Sequence, residues 1–242
     1  MDLRVRGGGE GGPLLLLLHG LGATGDVWAD WAPVLTREWP GRWIAPDLPG
    51  HGGSPRLPRY TFEALADAVA PLIDPYGSTV LLGHSLGGVV ALILAARHRV
   101  AAVAGLGIKV DWSAEDLERA GALAARPVSW FDTRQEAIAR HLRVSGLAGL
   151  VTDDHPAATA GVAEEDGRWR LALDPAAFGV GAPDMPGLLA RSSAPVVLAR
   201  GEHDPMNTGE QYALLKTPVV TLAGLGHNAH VESPAQCLRL IR

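Results

Sequence analysis

The hydrophobic residues of this chain lie in short continuous runs that are separated by longer stretches of mixed character. Continuous apolar runs bounded by turn residues are typical of strands that are covered on both faces of a sheet. The runs that predict such strands are residues 14–18, 43–45, 79–82, 100–106, 195–199 and 219–222.

Helical patterns lie between these runs. The apolar positions of residues 62–73 recur at helical spacing, and Thr61 precedes them as the expected N-cap. Residues 86–96 are apolar nearly all round, which predicts a helix buried at the centre of the fold. A last helix is expected to start at Ser233-Pro234. Because strands and helices alternate, the chain predicts an α/β fold, with a mostly parallel central sheet and helices on both faces.

Residues 111–187 interrupt this alternation. Ser113 and Asp116 form a predicted capping box, and a second short helix is expected over residues 133–144. This segment is too long for a plain crossover between strands. We therefore expect a helical lid at residues 111–187, inserted into a core made of residues 1–110 and 188–242.

Composition narrows the function classes. Of the 242 residues, 47% are hydrophobic and 19% are charged, which excludes a disordered chain. The net charge is −5 and the longest basic cluster, residues 97–99, fits a helix C-terminus, so we expect no nucleic-acid partner. Cys237 is the single cysteine, which excludes an internal disulfide.

Two glycine- and leucine-rich stretches lie near the start of the sequence. Residues 7–12 are almost all glycine and predict a hairpin turn or a flexible loop. The leucines of residues 14–18 are too few to cross a bilayer, and no signal-peptide pattern precedes them. We expect no membrane partner and a cytoplasmic location, whereas the sequence gives no indication of the oligomeric state.

Residues 83–88, Gly-His-Ser-Leu-Gly-Gly, follow a predicted strand and open the apolar helix. This is the pattern Gly-x-Ser-x-Gly in a strand–turn–helix context, which presents a serine above the sheet. Glycines are needed because the turn is strained and crowded. Ser85 is therefore the candidate nucleophile, and the backbone N–H of Leu86 is a candidate oxyanion donor.

A serine hydroxyl needs a base, and the loop after the last predicted strand supplies His227. This loop lies at the same edge of a parallel sheet as Ser85. His230 is the rival base. Asp204 follows the strand at residues 195–199 and is the preferred partner of the histidine.

Two other carboxylates remain alternatives to Asp204. Glu202 lies closer to the strand end, and Asp111 follows the strand at residues 100–106. In the turn at residues 19–22, the N–H of Leu21 is the second expected oxyanion donor, and His19 is expected to be structural.

These stretches together resemble the α/β-hydrolase superfamily in its lidded, esterase-like branch. The resemblance rests on residues 19–22, 47–52, 83–88, 201–204 and 226–234. It implies a Ser85–His227–Asp204 triad with Leu21 and Leu86 at the oxyanion hole, and it implies that Asp47 and His51 fix backbone turns. The family usually has two or three strands before the first matched one, so the first strands here are expected to be short or partly absent.

The expected activity is hydrolysis of a small carboxylester, lactone or thioester through an acyl-enzyme, without a cofactor or a catalytic metal. Carbon–carbon bond hydrolysis, acyl transfer and a ligand receptor without turnover remain alternatives on the same fold. A serine at the nucleophile position disfavours the dehalogenase and epoxide hydrolase activities of the superfamily, which use aspartate there. The aromatic residues expected to border a small-molecule pocket are Trp28, Trp112, Trp130 and Trp169.

Overall fold

A computed structural model describes residues 2–242 and contains a central sheet of seven strands in the order β1-β3-β2-β4-β5-β9-β10. The sheet strands are β1 (Val5–Gly8), β2 (Leu15–Leu18), β3 (Trp43–Pro46), β4 (Val80–His84), β5 (Ala102–Leu106), β9 (Val196–Gly201) and β10 (Val219–Leu222). Neighbouring strands are parallel except β1, which is antiparallel to β3 at one edge. The expected mostly parallel sheet is confirmed.

Helices surround the sheet and separate most of its strands in sequence. They are α1 (Trp31–Glu38), α2 (Phe62–Val69), α3 (Leu86–Arg97), α4 (Ala114–Ala124), α5 (Arg134–Val144), α6 (Pro156–Thr159), α7 (Met185–Arg191), α8 (Gly209–Ala213), α9 (Ala229–Glu232) and α10 (Pro234–Leu238). The Thr61 hydroxyl accepts the backbone N–H of Ala64 at 3.0 Å, which confirms it as the N-cap of α2. No helix within residues 2–242 has the length and apolar character that crossing a membrane requires.

The leucine run of β2 explains how the core is divided. Side chains of a strand alternate between the two faces of the sheet. Leu15 and Leu17 pack into a cluster with α1 and α10, whereas Leu16 and Leu18 pack into a second cluster with α2 and α3. All four leucines are fully buried, so β2 is covered on both faces and helices cover both sides of the sheet.

The glycine run near the start of the chain is only partly a turn, which corrects the expectation for residues 7–12. Gly7 and Gly8 belong to β1 and pair with Ile44 and Trp43. A Cβ at Gly7 would lie 2.6 Å from the Trp43 carbonyl oxygen, so the two strands approach too closely there for a side chain. The turn proper begins at Gly9, where φ is +73°.

Residues 111–187 contain the two expected helices, α4 and α5, and the predicted capping box of Ser113 and Asp116 is formed. Thr133 and Glu136 form a second capping box at the start of α5. Residues 111–187 also contain a small antiparallel sheet in the order β6-β8-β7, which the helical prediction for this segment did not include. Its strands are β6 (Trp130–Phe131), β7 (Val162–Glu165) and β8 (Arg168–Leu171). Asp166-Gly167, with φ of +52° and +75°, forms the two-residue hairpin turn between β7 and β8. An Asp-Gly pair is a hairpin signal that the sequence did carry.

Two helical glycines provide a test of this packing. A Cβ on Gly87 in α3 would lie 2.4 Å from the Leu18 carbonyl oxygen, whereas a Cβ on Gly121 in α4 would meet nothing within 4 Å. We predict that Gly87→Ala lowers the free energy of unfolding by about 1–3 kcal/mol. Gly121→Ala should raise it by about 0.5–1 kcal/mol, because alanine loses less backbone entropy in a helix. Urea unfolding followed by circular dichroism measures both, and equal effects would contradict the packing at Gly87.

Candidate active site

The turn between β4 and α3 carries Ser85 in a strained conformation. Ser85 has φ of 50° and ψ of −114°, a region that residues with a side chain rarely adopt. Its backbone N–H donates to the Leu106 carbonyl at 2.8 Å, which ties the turn to β5. A Cβ at Gly83 would lie 2.2 Å from the Gly87 carbonyl oxygen, so position 83, two residues before Ser85, has no room for a side chain.

The Ser85 hydroxyl does not cap helix α3, although a serine at this position of a helix usually does. Ser85 is the N-cap of α3, yet its hydroxyl makes no capping hydrogen bond. The half-buried hydroxyl instead lies in the wall of a cavity. Leu86 is the first residue of α3, and the first backbone N–H groups of a helix have no partner within it. The N–H of Leu86 is thus available for an anionic oxygen beside Ser85.

His227 and Asp204 come together from two loops at the same edge of the sheet. His227 Nδ1 lies 3.1 Å from both carboxylate oxygens of Asp204. The Asp204 carboxylate is fully buried and also accepts the Met206 backbone N–H at 2.8 Å. Burial opposes ionisation, but the hydrogen bonds from His227 and Met206 hold the pKa of Asp204 below its ordinary value. Asp204 is therefore a carboxylate at neutral pH.

The alternative carboxylates have other partners. Glu202 accepts the Gly224 backbone N–H at 2.8 Å, and Asp111 accepts the Gln211 side-chain amide at 3.1 Å. Both side chains belong to exposed residues, and neither is hydrogen-bonded to His227. The geometry thus favours Asp204 as the residue that orients His227.

His230, the rival base, lies beneath the site and not in it. It is fully buried and packs against the rings of Trp28 and His84, with centroid distances of 4.6 and 4.2 Å. His230 is not part of the cavity wall, whereas His227 is. Burial, with the repulsion of His227, lowers the pKa of His230 to about 3, so this ring is neutral at physiological pH.

His84 connects the turn of Ser85 to the loop of His227, a role that the sequence reasoning missed. Its Nε2 donates to the His227 carbonyl at 3.0 Å, and the two rings lie 4.7 Å apart. Burial lowers the pKa of His84 well below its ordinary value, which keeps one ring nitrogen protonated and the ring uncharged. The only signal in the sequence was the position of His84 directly before Ser85.

The turn at residues 19–22 approaches Ser85 from β2. His19 holds this turn, because Nε2 accepts the Leu48 backbone N–H at 2.8 Å and Nδ1 donates to the Gly20 carbonyl at 2.8 Å. A Cβ on Gly20 would lie 3.4 Å from the Cβ of Ser85, so this turn and the Ser85 turn are in contact. Leu21 lines the same cavity as Ser85, and His19 has the expected structural role.

The turns at residues 47–52 are held as the resemblance implies. Asp47 is fully buried and accepts the backbone N–H groups of Gly25 and Gly53 at 2.7 and 2.9 Å. Arg4 also donates to Asp47 at 3.0 Å. His51 Nδ1 lies 3.1 Å from the Pro49 carbonyl oxygen.

A cavity of about 780 Å³ lies above Ser85 and His227. The sheet edge forms its floor, and helices α4 and α5 of residues 111–187 form much of its wall. Trp112 lines it, and so do Leu123, Val144 and Phe178. The wall is therefore largely apolar, as ligand pockets usually are.

Three of the four tryptophans expected at the pocket do not line it, which corrects that expectation. Trp28 is fully buried in the core beneath the site, where it packs edge-on against Trp31 at 5.0 Å. Trp130 and Trp169 lie on the small sheet of residues 111–187, where Arg168 and Arg134 stack on their rings. Periodicity cannot distinguish a tryptophan of the core from one of the pocket wall, because both positions are apolar.

Asn228 anchors the end of α5 beside the candidate base, and sequence reasoning missed this contact too. Its side-chain amide donates to the Ser145 and Gly146 carbonyls at 3.4 and 3.0 Å. On the other side, a Cβ on Gly22 would lie 3.0 Å from the Val144 side chain. Residues 143–146 are therefore held between the turn of Leu21 and the loop of His227.

The chain matches a family model described as the alpha/beta hydrolase family over residues 15–240. Among solved structures, an E-2-(acetamidomethylene)succinate hydrolase superposes with a TM-score of 0.80 and 27% identity. That match covers 98% of this chain and 92% of the solved chain.

Two curated relatives match shorter stretches. A pimeloyl-[acyl-carrier protein] methyl ester esterase of Neisseria meningitidis serogroup A is 51% identical over 82 residues, which cover 34% of this chain and 25% of the relative. A lipase of Mycobacterium tuberculosis is 42% identical over 99 residues, which cover 40% of this chain and 37% of the relative. The matched stretches thus span less than two fifths of the length of these relatives.

The buried histidines predict a stability that depends on pH. The pKa of His230 in the folded chain is about 3, below the ordinary value of about 6.5, so the unfolded chain binds more protons between these values. The contribution of this neutral ring to the free energy of unfolding is therefore complete above pH 6.5. It decreases as pH falls below 6.5, by up to about 1.4 kcal/mol per pH unit for each such histidine.

We predict that the free energy of unfolding falls less steeply with decreasing pH in His230→Phe, because phenylalanine fills the ring site and does not titrate. The difference in slope should correspond to at most one bound proton. His98→Phe, at an exposed histidine at the end of α3, is the matched control for replacing a histidine by phenylalanine. Urea unfolding between pH 7.5 and pH 5 measures the slopes. A slope that His230→Phe does not change would show that this histidine is not a buried neutral ring.

Proposed function

Because this chain belongs to the α/β-hydrolase family, we propose that it is a serine hydrolase that cleaves a small carboxylester, lactone or thioester. The observation that carries the proposal is the strained Ser85 turn, which opens into the same cavity as a His227 that is paired with a buried carboxylate. The esterase and lipase among the relatives support the choice of an ester over other hydrolysable bonds.

The proposed reaction starts with proton transfer from Ser85 to His227. The Oγ of Ser85 attacks the carbonyl carbon of the substrate, while Nε2 of His227 takes the hydroxyl proton as general base. The residues described show no hydrogen bond between Ser85 and His227, and contacts of this kind often close only when substrate is bound. Asp204 accepts a hydrogen bond from Nδ1–H, which fixes the tautomer of His227 and stabilises the imidazolium that forms.

The backbone N–H groups of Leu21 and Leu86 are the proposed donors to the oxyanion of the tetrahedral intermediate. Both residues line the cavity beside Ser85. One such donor typically contributes about 10²–10³ in rate, because it is oriented before charge develops. When the intermediate collapses, the C–O or C–S bond to the leaving group breaks and His227 returns its proton to that group. An acyl-Ser85 ester remains.

Water completes the proposed cycle. His227 takes a proton from water, the hydroxide attacks the acyl carbon, and the bond to Ser85 Oγ breaks as His227 gives the proton back to the serine. The products are the free acid and the regenerated enzyme. His227 mediates each proton transfer, so the proposed chemistry needs no cofactor.

Residues 111–187 are the proposed lid of this enzyme. Helices α4 and α5 supply much of the cavity wall, and the end of α5 is held against both Gly22 and Asn228. A lid in this position selects substrates by the shape of the wall and excludes water from the acyl-enzyme.

Two serines of the same cavity test the proposed nucleophile. Ser85→Ala should lower kcat for ester hydrolysis by about 10⁴-fold or more, because no other hydroxyl is presented on the strained turn. Ser145 also lines the cavity, but its hydroxyl donates to the His141 carbonyl at 2.9 Å, so Ser145→Ala should keep activity within a few-fold. p-Nitrophenyl esters from acetate to octanoate measure both variants. Similar losses in the two, with both folded, would contradict the assignment.

Three acidic residues test the proposed carboxylate. Asp204→Asn should lower kcat by about 10⁴-fold, because the amide favours the wrong tautomer of His227. Glu202→Gln and Asp111→Asn are matched controls and should leave kcat nearly unchanged, because their carboxylates bind other groups. A large loss in either control with activity retained in Asp204→Asn would move the role to that residue.

A further inference from the structure

Cationic side chains outnumber carboxylates in the cavity wall, and one of the cations has no ion-pair partner. Lys109 Nζ lies 3.2 Å from Asp116, and Arg119, which also lines the cavity, lies 2.6 Å from the exposed Glu115. Arg143, in the last turn of α5, also lines the cavity. Within residues 2–242, its guanidinium has neither an ion pair nor a side-chain hydrogen bond.

The position of Arg143 is fixed close to the reacting groups. The next residue, Val144, packs on Gly22 in the turn of Leu21, and the two after it accept hydrogen bonds from Asn228, the neighbour of His227. Arg143 and Ser85 line the same cavity, so a substrate bound there lies between the two. Arg143 is an exposed residue, and its unpaired guanidinium has donors free to hold an anion in a defined orientation.

We infer that the substrate carries a carboxylate in addition to the scissile ester, and that Arg143 binds this carboxylate. The inference rests on the proposed function, because it names the substrate class of the same site. The planar guanidinium matches a carboxylate with two parallel hydrogen bonds. The charge also matches, because three cations (Lys109, Arg119 and Arg143) and two carboxylates (Asp116 and Glu232) line the cavity, and one added negative charge balances them.

A phosphate monoester fits the wall less well. It carries nearly two negative charges at neutral pH. The wall also contains the carboxylates of Asp116 and Glu232, which would repel the excess charge. Glu232 already accepts the Gly226 backbone N–H at 3.0 Å and stays close to the loop of His227. A small acid with one free carboxylate is therefore the chemistry that the cavity favours.

The simplest competing explanation is that Arg143 only stabilises the C-terminus of α5 through the helix dipole. Arg37 provides the matched control for this explanation. It occupies the last turn of α1, is exposed, and lies outside the cavity. Replacing either arginine removes one positive charge from a helix end, but only Arg143 can touch a substrate.

The test compares monoethyl succinate, glutarate and adipate with ethyl butyrate, valerate and hexanoate, with acid release measured in a pH-stat. Wild type should favour at least one carboxylated ester by about ten- to hundredfold in kcat/KM. Arg143→Met should remove this preference, mainly through KM, and leave the neutral esters within a few-fold. Arg143→Lys should keep part of the preference, and Arg37→Met should keep all of it. A preference that Arg143→Met does not change, or none in wild type, would overturn the inference.

A binding measurement separates this inference from the proposed function. Calorimetry with monoethyl adipate on Ser85→Ala should detect binding that Ser85→Ala/Arg143→Met lacks. Binding that depends on Arg143, without ester turnover by wild type, would retain the anion site and reject the esterase. Ester turnover without any dependence on Arg143 would do the reverse. Stronger competition by inorganic phosphate than by acetate would contradict the assignment to a carboxylate.

Discussion

The strained backbone conformation of Ser85 determines where the other groups of the candidate site must lie. A positive φ at a residue with a side chain costs free energy, and it persists only where the surrounding structure determines it. Here the buried strand β4 and the apolar helix α3 provide that surrounding. Gly83 and Gly87 let the chain segments approach so closely that a Cβ at either position would collide with backbone. The same turn exposes the Ser85 hydroxyl and leaves the first N–H of α3 without a partner in the helix.

The other turns at this edge of the sheet are held in register with Ser85 by short contacts. His84 donates to the carbonyl of His227, so the candidate nucleophile and base are connected through one buried ring. A Cβ at Gly201 would lie 2.1 Å from the Gly226 carbonyl oxygen, which brings the loops of Asp204 and His227 together. A few glycines and buried histidines therefore set the distances between the proposed catalytic groups, and they do so before any substrate binds.

Much of this arrangement could be predicted from the sequence, because local rules determine it. Each strand of the parallel sheet is a short apolar run, Thr61 and Ser113 form the expected caps, and the order of Ser85, Asp204 and His227 fits strand ends at one edge. The small sheet of residues 111–187 was not predicted because its strands are only two to four residues long, although Asp166-Gly167 marked its turn. The roles of Trp28 and Arg143 depend on packing between distant segments, which periodicity does not reveal.

In the proposed reaction, Ser85 forms a covalent acyl-enzyme. The most direct measurement is mass spectrometry of the intact chain after reaction with a fluorophosphonate, followed by peptide mapping of the adduct. We expect a single adduct on Ser85 that forms quickly in wild type and slowly in a His227→Ala variant, because the base activates the hydroxyl. An adduct on another residue would rule out Ser85 as the nucleophile, and equal rates of labelling in the two proteins would rule out His227 as its base.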